Sequence, residues 1–162
     1  MGKIMTLDYE RCTGCRLCEM VCSVNKEGAS DPARARIHVI KWEMEGIYVP
    51  MFCQHCEDPL CAAVCPVRAI ERDEVEGRVR VDKEKCVGCR SCLSACPFGA
   101  IGWDEEKRKV IRCDLCHGDP TCVKFCATKA IQFIEAERAV LVKKRAAAER
   151  LHRALSQTSH GI

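Results

Sequence analysis

Sixteen of the 162 residues are cysteine, and they fall into four runs with none left over. The runs are Cys12, Cys15, Cys18, Cys22; Cys53, Cys56, Cys61, Cys65; Cys86, Cys89, Cys92, Cys96; and Cys113, Cys116, Cys122, Cys126. The first and third are spaced C-x2-C-x2-C-x3-C. A cubane [4Fe-4S] cluster needs four soft thiolates at tetrahedral corners, and one tight loop can offer three only if cysteines recur every third residue. Such a loop turns its amides toward sulfur, and Gly14 and Gly88 allow the close turn between first and second ligands. The fourth cysteine begins to point away from the loop, which lets it serve a different cluster.

The third run ends in Cys96-Pro97, which completes the bacterial ferredoxin pattern. The second and fourth widen the middle gap by two and three residues and keep the final x3, and the second ends in Cys65-Pro66. Zinc is the main competing metal, because C-x2-C pairs also build zinc ribbons. Zinc sites use two pairs, whereas here a fourth cysteine follows at x3 in every run, which leaves no natural partition into separate knuckles. A disulfide scaffold belongs to secreted chains with a signal peptide. The stretch from Met1 to Glu10 has no apolar core and no twin arginine, and no apolar run suits a membrane span. The expectation is a cytoplasmic protein with reduced thiols.

The runs sit inside longer repeats. DYERCTGCR at 8–16 resembles DKEKCVGCR at 82–90, and CQHCEDPLC from Cys53 resembles CDLCHGDPTC from Cys113, so the chain reads as a duplicated two-cluster unit. Strand character lies between the runs. Arg36 to Lys41 alternates, Ile47 to Phe52 follows Gly46, Arg78 to Val81 follows Gly77, and Val110 to Arg112 faces Ile101 to Trp103, each predicting a small hairpin beside a cluster. A strand from Ala130 to Ile134 should complete the fold. Between the last two cysteines of a run, as in Leu93 to Ala95 or Val123 to Phe125, a short helix can aim its amides at sulfur. Glu135 to Ser156, free of Gly and Pro, predicts a long terminal helix. Its apolar stripe is Leu141, Ala147, Ala148, Leu151, Ala154 and Leu155, flanked by Lys143, Lys144, Arg145, Arg150 and Arg153.

Only four Phe, two Trp and two Tyr are present, so inorganic cores would have to supply much of the interior. A formal charge of +3 might suggest nucleic acid. Four oxidised clusters at roughly −2 each, thiolates included, would bring the holoprotein to about −5 and remove that suggestion. No Gly-rich phosphate loop, paired nucleophile and base, or flavin or nicotinamide fingerprint is visible, so the chain reads as non-catalytic.

These residues resemble the four-cluster ferredoxin-like (polyferredoxin) subunits that accompany molybdenum and tungsten pterin oxidoreductases, formate-linked hydrogenases and carbon monoxide dehydrogenases. The resemblance covers Leu7 to Ile134 and rests most specifically on CQHCEDPLCAAVCP from Cys53 to Pro66 and CVGCRSCLSACP from Cys86 to Pro97. In size the chain is most similar to the small iron-sulfur subunit of tungsten aldehyde oxidoreductases. The resemblance implies an α+β fold of two bacterial-ferredoxin-like units: a split unit of 1–52 and 97–134 carrying runs one and four, and an inserted unit, 53–96, carrying runs two and three. A C-terminal docking helix and tail, 135–162, would follow. The implied ligand sets are Cys12, Cys15, Cys18 with Cys126; Cys113, Cys116, Cys122 with Cys22; Cys53, Cys56, Cys61 with Cys96; and Cys86, Cys89, Cys92 with Cys65.

The implied function is single-electron relay through four [4Fe-4S] clusters, between a larger tungsten- or molybdenum-pterin catalytic subunit and a flavin subunit or carrier. A freely diffusing polyferredoxin is the alternative, and the terminal helix could also join two copies of the chain. Ser23 and Ala127 stand where the ferredoxin motif has proline, which puts the local turn in question but not ligation. His55 and His117 lie inside runs yet face complete thiolate sets, so they read as hydrogen-bonding or surface residues. Trp42 and Trp103 read as packing over hairpins, and Arg16, Arg68, Arg90 and Lys129 as mostly solvated. Protein purified without oxygen should carry about 16 irons and about 16 acid-labile sulfides per chain, by elemental and sulfide analysis. Stoichiometric zinc with little sulfide would end that expectation.

Overall fold

Residues in the left-handed region, Gly46, Gly77 and Arg108, turn the segments between cysteine runs into hairpins. The computed structural model describes residues 2–158, excluding the side chains of Arg153, Ala154, Leu155, Gln157 and Thr158. β1 (Lys3–Leu7) precedes the first run, α1 (Leu17–Glu27) carries its end, and β2 (Ile37–Trp42) turns through Gly46 at φ +66° into β3 (Ile47–Phe52). The strands are antiparallel, with Ile37 opposite Phe52 and Trp42 opposite Ile47. Ile37 and Val39 are buried while Ile40 and Trp42 face out, the alternation a half-buried strand requires. Trp42 therefore does not pack as expected; 47% of it is exposed.

α2 (Leu60–Ala63), β4 (Ile70–Arg72), β5 (Val79–Val81) and α3 (Ser91–Ala95) carry runs two and three. β4 and β5 pair antiparallel, and Gly77 at φ +64° sits in their turn. β6 (Ile101–Asp104) and β7 (Lys109–Arg112) face each other with Trp103 opposite Val110. α4 (Thr121–Phe125), β8 (Ile131–Glu135) and α5 (Ala136–Thr158) follow, and β8 pairs with β1, a strand that sequence patterning had not indicated. Mixed helices and two-stranded sheets agree with the α+β expectation.

The residue behind each run's last cysteine bears on helix length without deciding it alone. In runs two and three the helix stops short of Cys65-Pro66 and Cys96-Pro97, since proline lacks the N–H that a helix interior needs. Run four has Ala127 instead, yet its turn is unchanged: Lys129 N–H donates to the Cys126 carbonyl at 3.2 Å, as Arg68 does to Cys65 and Gly99 to Cys96. Run one differs. Ser23 leaves the helix free to run past Cys22 to Glu27, where Gly28 at φ +74° closes it by donating to the Val24 carbonyl. The fully buried Ser23 hydroxyl donates to the Met20 carbonyl and accepts from the Asp31 amide, tying the returning loop to the helix.

Backbone contacts divide the chain into two compact units, Leu7–Gln132 and a second made of Met1–Thr6 with Phe133–Ile162. All sixteen cysteines lie in the first. There α1 packs on α4 and α2 on α3. One core cluster joins Cys61, Ile70, Val79, Cys92, Ile101 and Val110, so sulfur takes places that aliphatic side chains would otherwise fill. Glu27, on α1, binds Arg36 at 2.5 Å, Lys107 at 2.7 Å and Arg34 at 3.1 Å, and Arg34 also reaches the buried Asp104 of β6 at 2.8 Å. In the second unit α5 begins just after the expected Glu135, which ends β8, and runs slightly beyond the expected Ser156. Ala139 is buried, whereas Val140, Leu141, Val142 and Leu151 are exposed. Among the described residues no helix is long and apolar enough to cross a membrane.

Candidate iron-sulfur centres

Runs two and three interleave at the side-chain level. Cys53, Cys56 and Cys61 share a cavity of about 120 Å³ with Cys96, Phe98 and Arg112. One ordered water needs only about 10–15 Å³. A second, much smaller cavity of about 20 Å³ is lined by Cys86, Cys89 and Cys92 together with Cys65. In each, three cysteines come from one run and one from the other. The sulfurs stand around a space and do not meet at a point: among the described residues no three Cys, His, Asp or Glu side chains converge tightly enough for a single ion. A cage of iron and sulfide fits such a donor set.

Runs one and four meet through α1 and α4. Asn25 Nδ2 lies 3.5 Å from Cys116 Sγ, and the charge of Cys116 is felt at Cys22. Cys122 feels Cys113, Cys22, Cys116 and Cys18. Cys12 and Cys15 sit on the loop before α1, and Cys126 follows α4. The partners of Cys126 are the amides of Ile131, Ala130 and Lys129 and the Thr128 hydroxyl, which outweigh burial and lower its thiol.

Every fourth cysteine receives an amide from the segment entering the next strand. Ala69 N donates to Cys65 Sγ at 3.2 Å and Ala100 N to Cys96 Sγ at 3.4 Å. Cys22 cannot be served from four residues on, because α1 continues there; Arg36 N, at the entrance to β2, donates to it at 3.3 Å. The donor then lies fourteen residues on in the chain instead of four.

The C-x-G-C turns are roofed by aromatic rings. Gly14 stands at φ +68°, and a Cβ on it would lie 2.6 Å from the Tyr48 ring. Gly88, at φ +71°, would put its Cβ 2.9 Å from the Arg108 carbonyl and 3.1 Å from the Trp103 ring. Trp103 thus packs over the turn, as expected, and Arg90 stacks on it at 4.0 Å. Arg16 and Arg90 occupy left-handed positions directly after these turns, and Arg68 and Lys129 do so in the turns that follow Cys65 and Cys126.

Burial pushes the Cys18 and Cys113 thiols up to about 12, and raises Cys22, Cys53, Cys92 and Cys122 as well. Such sulfurs become thiolates readily only when a cation is bound to them. His55 is buried and its imidazole is lowered to about 4, first by burial and then by Arg112. Its Nδ1 accepts from Val79 N at 3.0 Å, a hydrogen-bonding role as expected, and His117 is exposed.

Arg112 is the residue that sequence reading passed over. Its Nη2 donates to Cys53 Sγ at 2.8 Å and its Nη1 to Cys61 Sγ at 3.3 Å. Attention to the loops hid it, because it ends a strand. Period-two alternation would have found it, two places beyond the buried Val110.

Two interleaved cysteine quartets with amide-lined sulfurs are the donor sets of an iron-sulfur electron-transfer protein. Residues 44–138 match the 4Fe-4S dicluster domain and residues 5–25 the 4Fe-4S binding domain. This protein belongs to the 4Fe-4S dicluster family. It is 43% identical over 117 residues to the polyferredoxin-like subunit of aliphatic sulfonate oxidoreductase from Pyrococcus furiosus, covering 72% of this chain and 67% of that one. It is 39% identical over 153 residues to YsaA of Escherichia coli (strain K12), described as an electron transport protein, covering 85% and 93%. The B subunit of anaerobic dimethyl sulfoxide reductase from the same organism is 35% identical over 145 residues, covering 78% and 70%.

Because the neighbour of Gly88 is a backbone carbonyl, the contact has no flexible end to yield. Gly88→Ala should cost about 2–5 kcal/mol, the left-handed penalty plus overpacking. Gly28→Ala, with open space around it, should cost only about 1–2 kcal/mol. Anaerobic denaturant titration of the two variants compares them directly.

Proposed function

We propose that this chain is the electron-transfer subunit of a larger oxidoreductase and relays single electrons through four [4Fe-4S] clusters. What carries the reading is the mixed make-up of the two cysteine-lined cavities, each taking its fourth sulfur from the other run. The ligand sets are Cys53, Cys56, Cys61, Cys96; Cys65, Cys86, Cys89, Cys92; Cys22, Cys113, Cys116, Cys122; and Cys12, Cys15, Cys18, Cys126. Exchange of fourth ligands keeps the clusters of each pair close. The packing of α2 on α3 and of α1 on α4 supports an inserted unit, 53–96, within a split unit of 1–52 and 97–134.

The catalytic partner is of the tungsten- or molybdenum-pterin type, and the acceptor is a flavin subunit or a diffusible carrier in the cytoplasm. Support comes from relatives named as subunits of sulfonate oxidoreductase and dimethyl sulfoxide reductase. The clusters supply one-electron capacity. The chain's own residues hold them, donate amides to sulfur and exclude water. The exposed Leu141 and Leu151 of α5 form a docking face for that partner or for a second copy; Ala154 and Leu155 of the same stripe lie outside the described side chains.

Two experiments test this. Cys126→Ala should perturb the cluster of Cys12, Cys15 and Cys18 while the cluster of Cys113, Cys116 and Cys122 keeps its spectrum; the reverse pattern would refute the exchange of ligands. Truncation after Glu135 should leave iron content and cluster spectra intact but weaken co-purification of the partner or self-association. Loss of clusters with unchanged assembly would make α5 a brace.

A further inference from the structure

Two cations beside cysteine sulfur, the buried Arg36 and the half-buried Lys26, are each matched by a carboxylate. Arg36 is paired with Glu27 at 2.5 Å and Lys26 with Asp114 at 2.7 Å. Arg112 is different. From the end of β7 its guanidinium enters the cavity of Cys53, Cys56, Cys61 and Cys96 and gives both terminal nitrogens to sulfur, at 2.8 and 3.3 Å. Its Nε is buried without a partner. Asp58 lines the same cavity and Asp114 an adjoining one, but among the described residues no carboxylate forms an ion pair with it, and the charges that act on it most strongly are those of Cys53 and Cys61. The neighbouring cavity of Cys65, Cys86, Cys89 and Cys92 has Arg90 at its rim. That side chain is 52% exposed, stacks on Trp103 and pairs with Glu105 at 3.6 Å, so solvent and a carboxylate screen it.

A guanidinium stays charged at every pH the fold survives, and its fork can hold two sulfurs at once. Placed against one quartet and partly shielded from water, it favours whichever redox state carries more negative charge. We propose that Arg112 sets the potential of the cluster held by Cys53, Cys56, Cys61 and Cys96, raising it so that this cluster takes an electron ahead of its pair partner. The inference rests on the ligand assignment proposed above. The step is one electron in, from a low-potential one-electron donor, with no proton moved, because the guanidinium is protonated before and after. Arg112 is a positioning and tuning residue and supplies no ligand atom.

The test is an anaerobic redox titration with dithionite, followed by electron paramagnetic resonance, on the full chain and its Arg112→Gln and Arg112→Lys forms, each analysed for iron and sulfide. Cys56→Ser marks the signal that belongs to this quartet. Arg112→Gln should shift the reduction equilibrium of that signal at least tenfold toward the oxidised state, about 59 mV for a one-electron couple, with the other signals unmoved. Arg112→Lys should recover most of the shift, which a purely structural role would not do. Arg80→Gln, removing an arginine paired with Asp73 at the surface, should move nothing. An unchanged potential in Arg112→Gln with full iron content overturns the proposal. So does loss of iron in both Arg112 forms, which would make the residue a brace. If Cys56→Ser changes no signal, the ligand assignment fails, an outcome separate from any result at Arg112.

Discussion

Sulfur sits where this protein would otherwise keep its hydrophobic core, and buried sulfur has to be met by donors. Cys22, Cys53, Cys61, Cys92 and Cys122 are all among the most buried residues. A thiolate in such a place is stabilised by iron and by N–H groups turned toward it. Local architecture follows from that demand. The hairpins bring backbone amides to Cys65, Cys96 and Cys22, the left-handed glycines let the loops close around sulfur, and aromatic rings on neighbouring strands seal the turns. With so few aromatic residues in the chain, sulfur and the hairpins around it supply most of the order.

The demand also sets the long-range topology. A short loop can offer three sulfurs but not a fourth on the far side of the cage, so a second run must come alongside, and helices α1 with α4 and α2 with α3 lie together for this reason in the proposed reading. Relay of single electrons requires no substrate pocket, no proton path and no moving lid. The interior can then be given entirely to spacing the clusters, and the surface to partners.

Much of this was legible in the sequence because it is local. Ile47 to Phe52 was delimited by Gly46 on one side and Cys53 on the other, and β3 has those bounds. The pairing of Trp103 with Val110 followed from two short apolar segments separated by a charged turn. What was not legible depended on partners distant in the chain. Ser23 permits α1 to continue past Cys22 but does not require it; continuation is tolerated only because Arg36 N can replace the missing amide. Ala127 changes little, since the turn that follows Cys126 is held by a hydrogen bond that Lys129 N–H donates, not residue 127. The basic residues noticed inside the loops are turn formers in left-handed positions, whereas the one that touches sulfur ends a strand outside them.

That strand end has a further consequence. Arg112 and Cys113 are adjacent, and successive side chains leave an extended backbone on opposite sides. Arg112 reaches Cys53 and Cys61, while Cys113 feels the charges of both Cys53 and Cys22. A single peptide bond therefore stands between a charge on one quartet and a sulfur of the next. In the proposed reading this is where the two ferredoxin-like units abut, so a relay from one pair of clusters to the other crosses beside Arg112. A fixed positive charge at such a crossing lowers the cost of holding an electron there, and it does so without adding a ligand or a proton to the path.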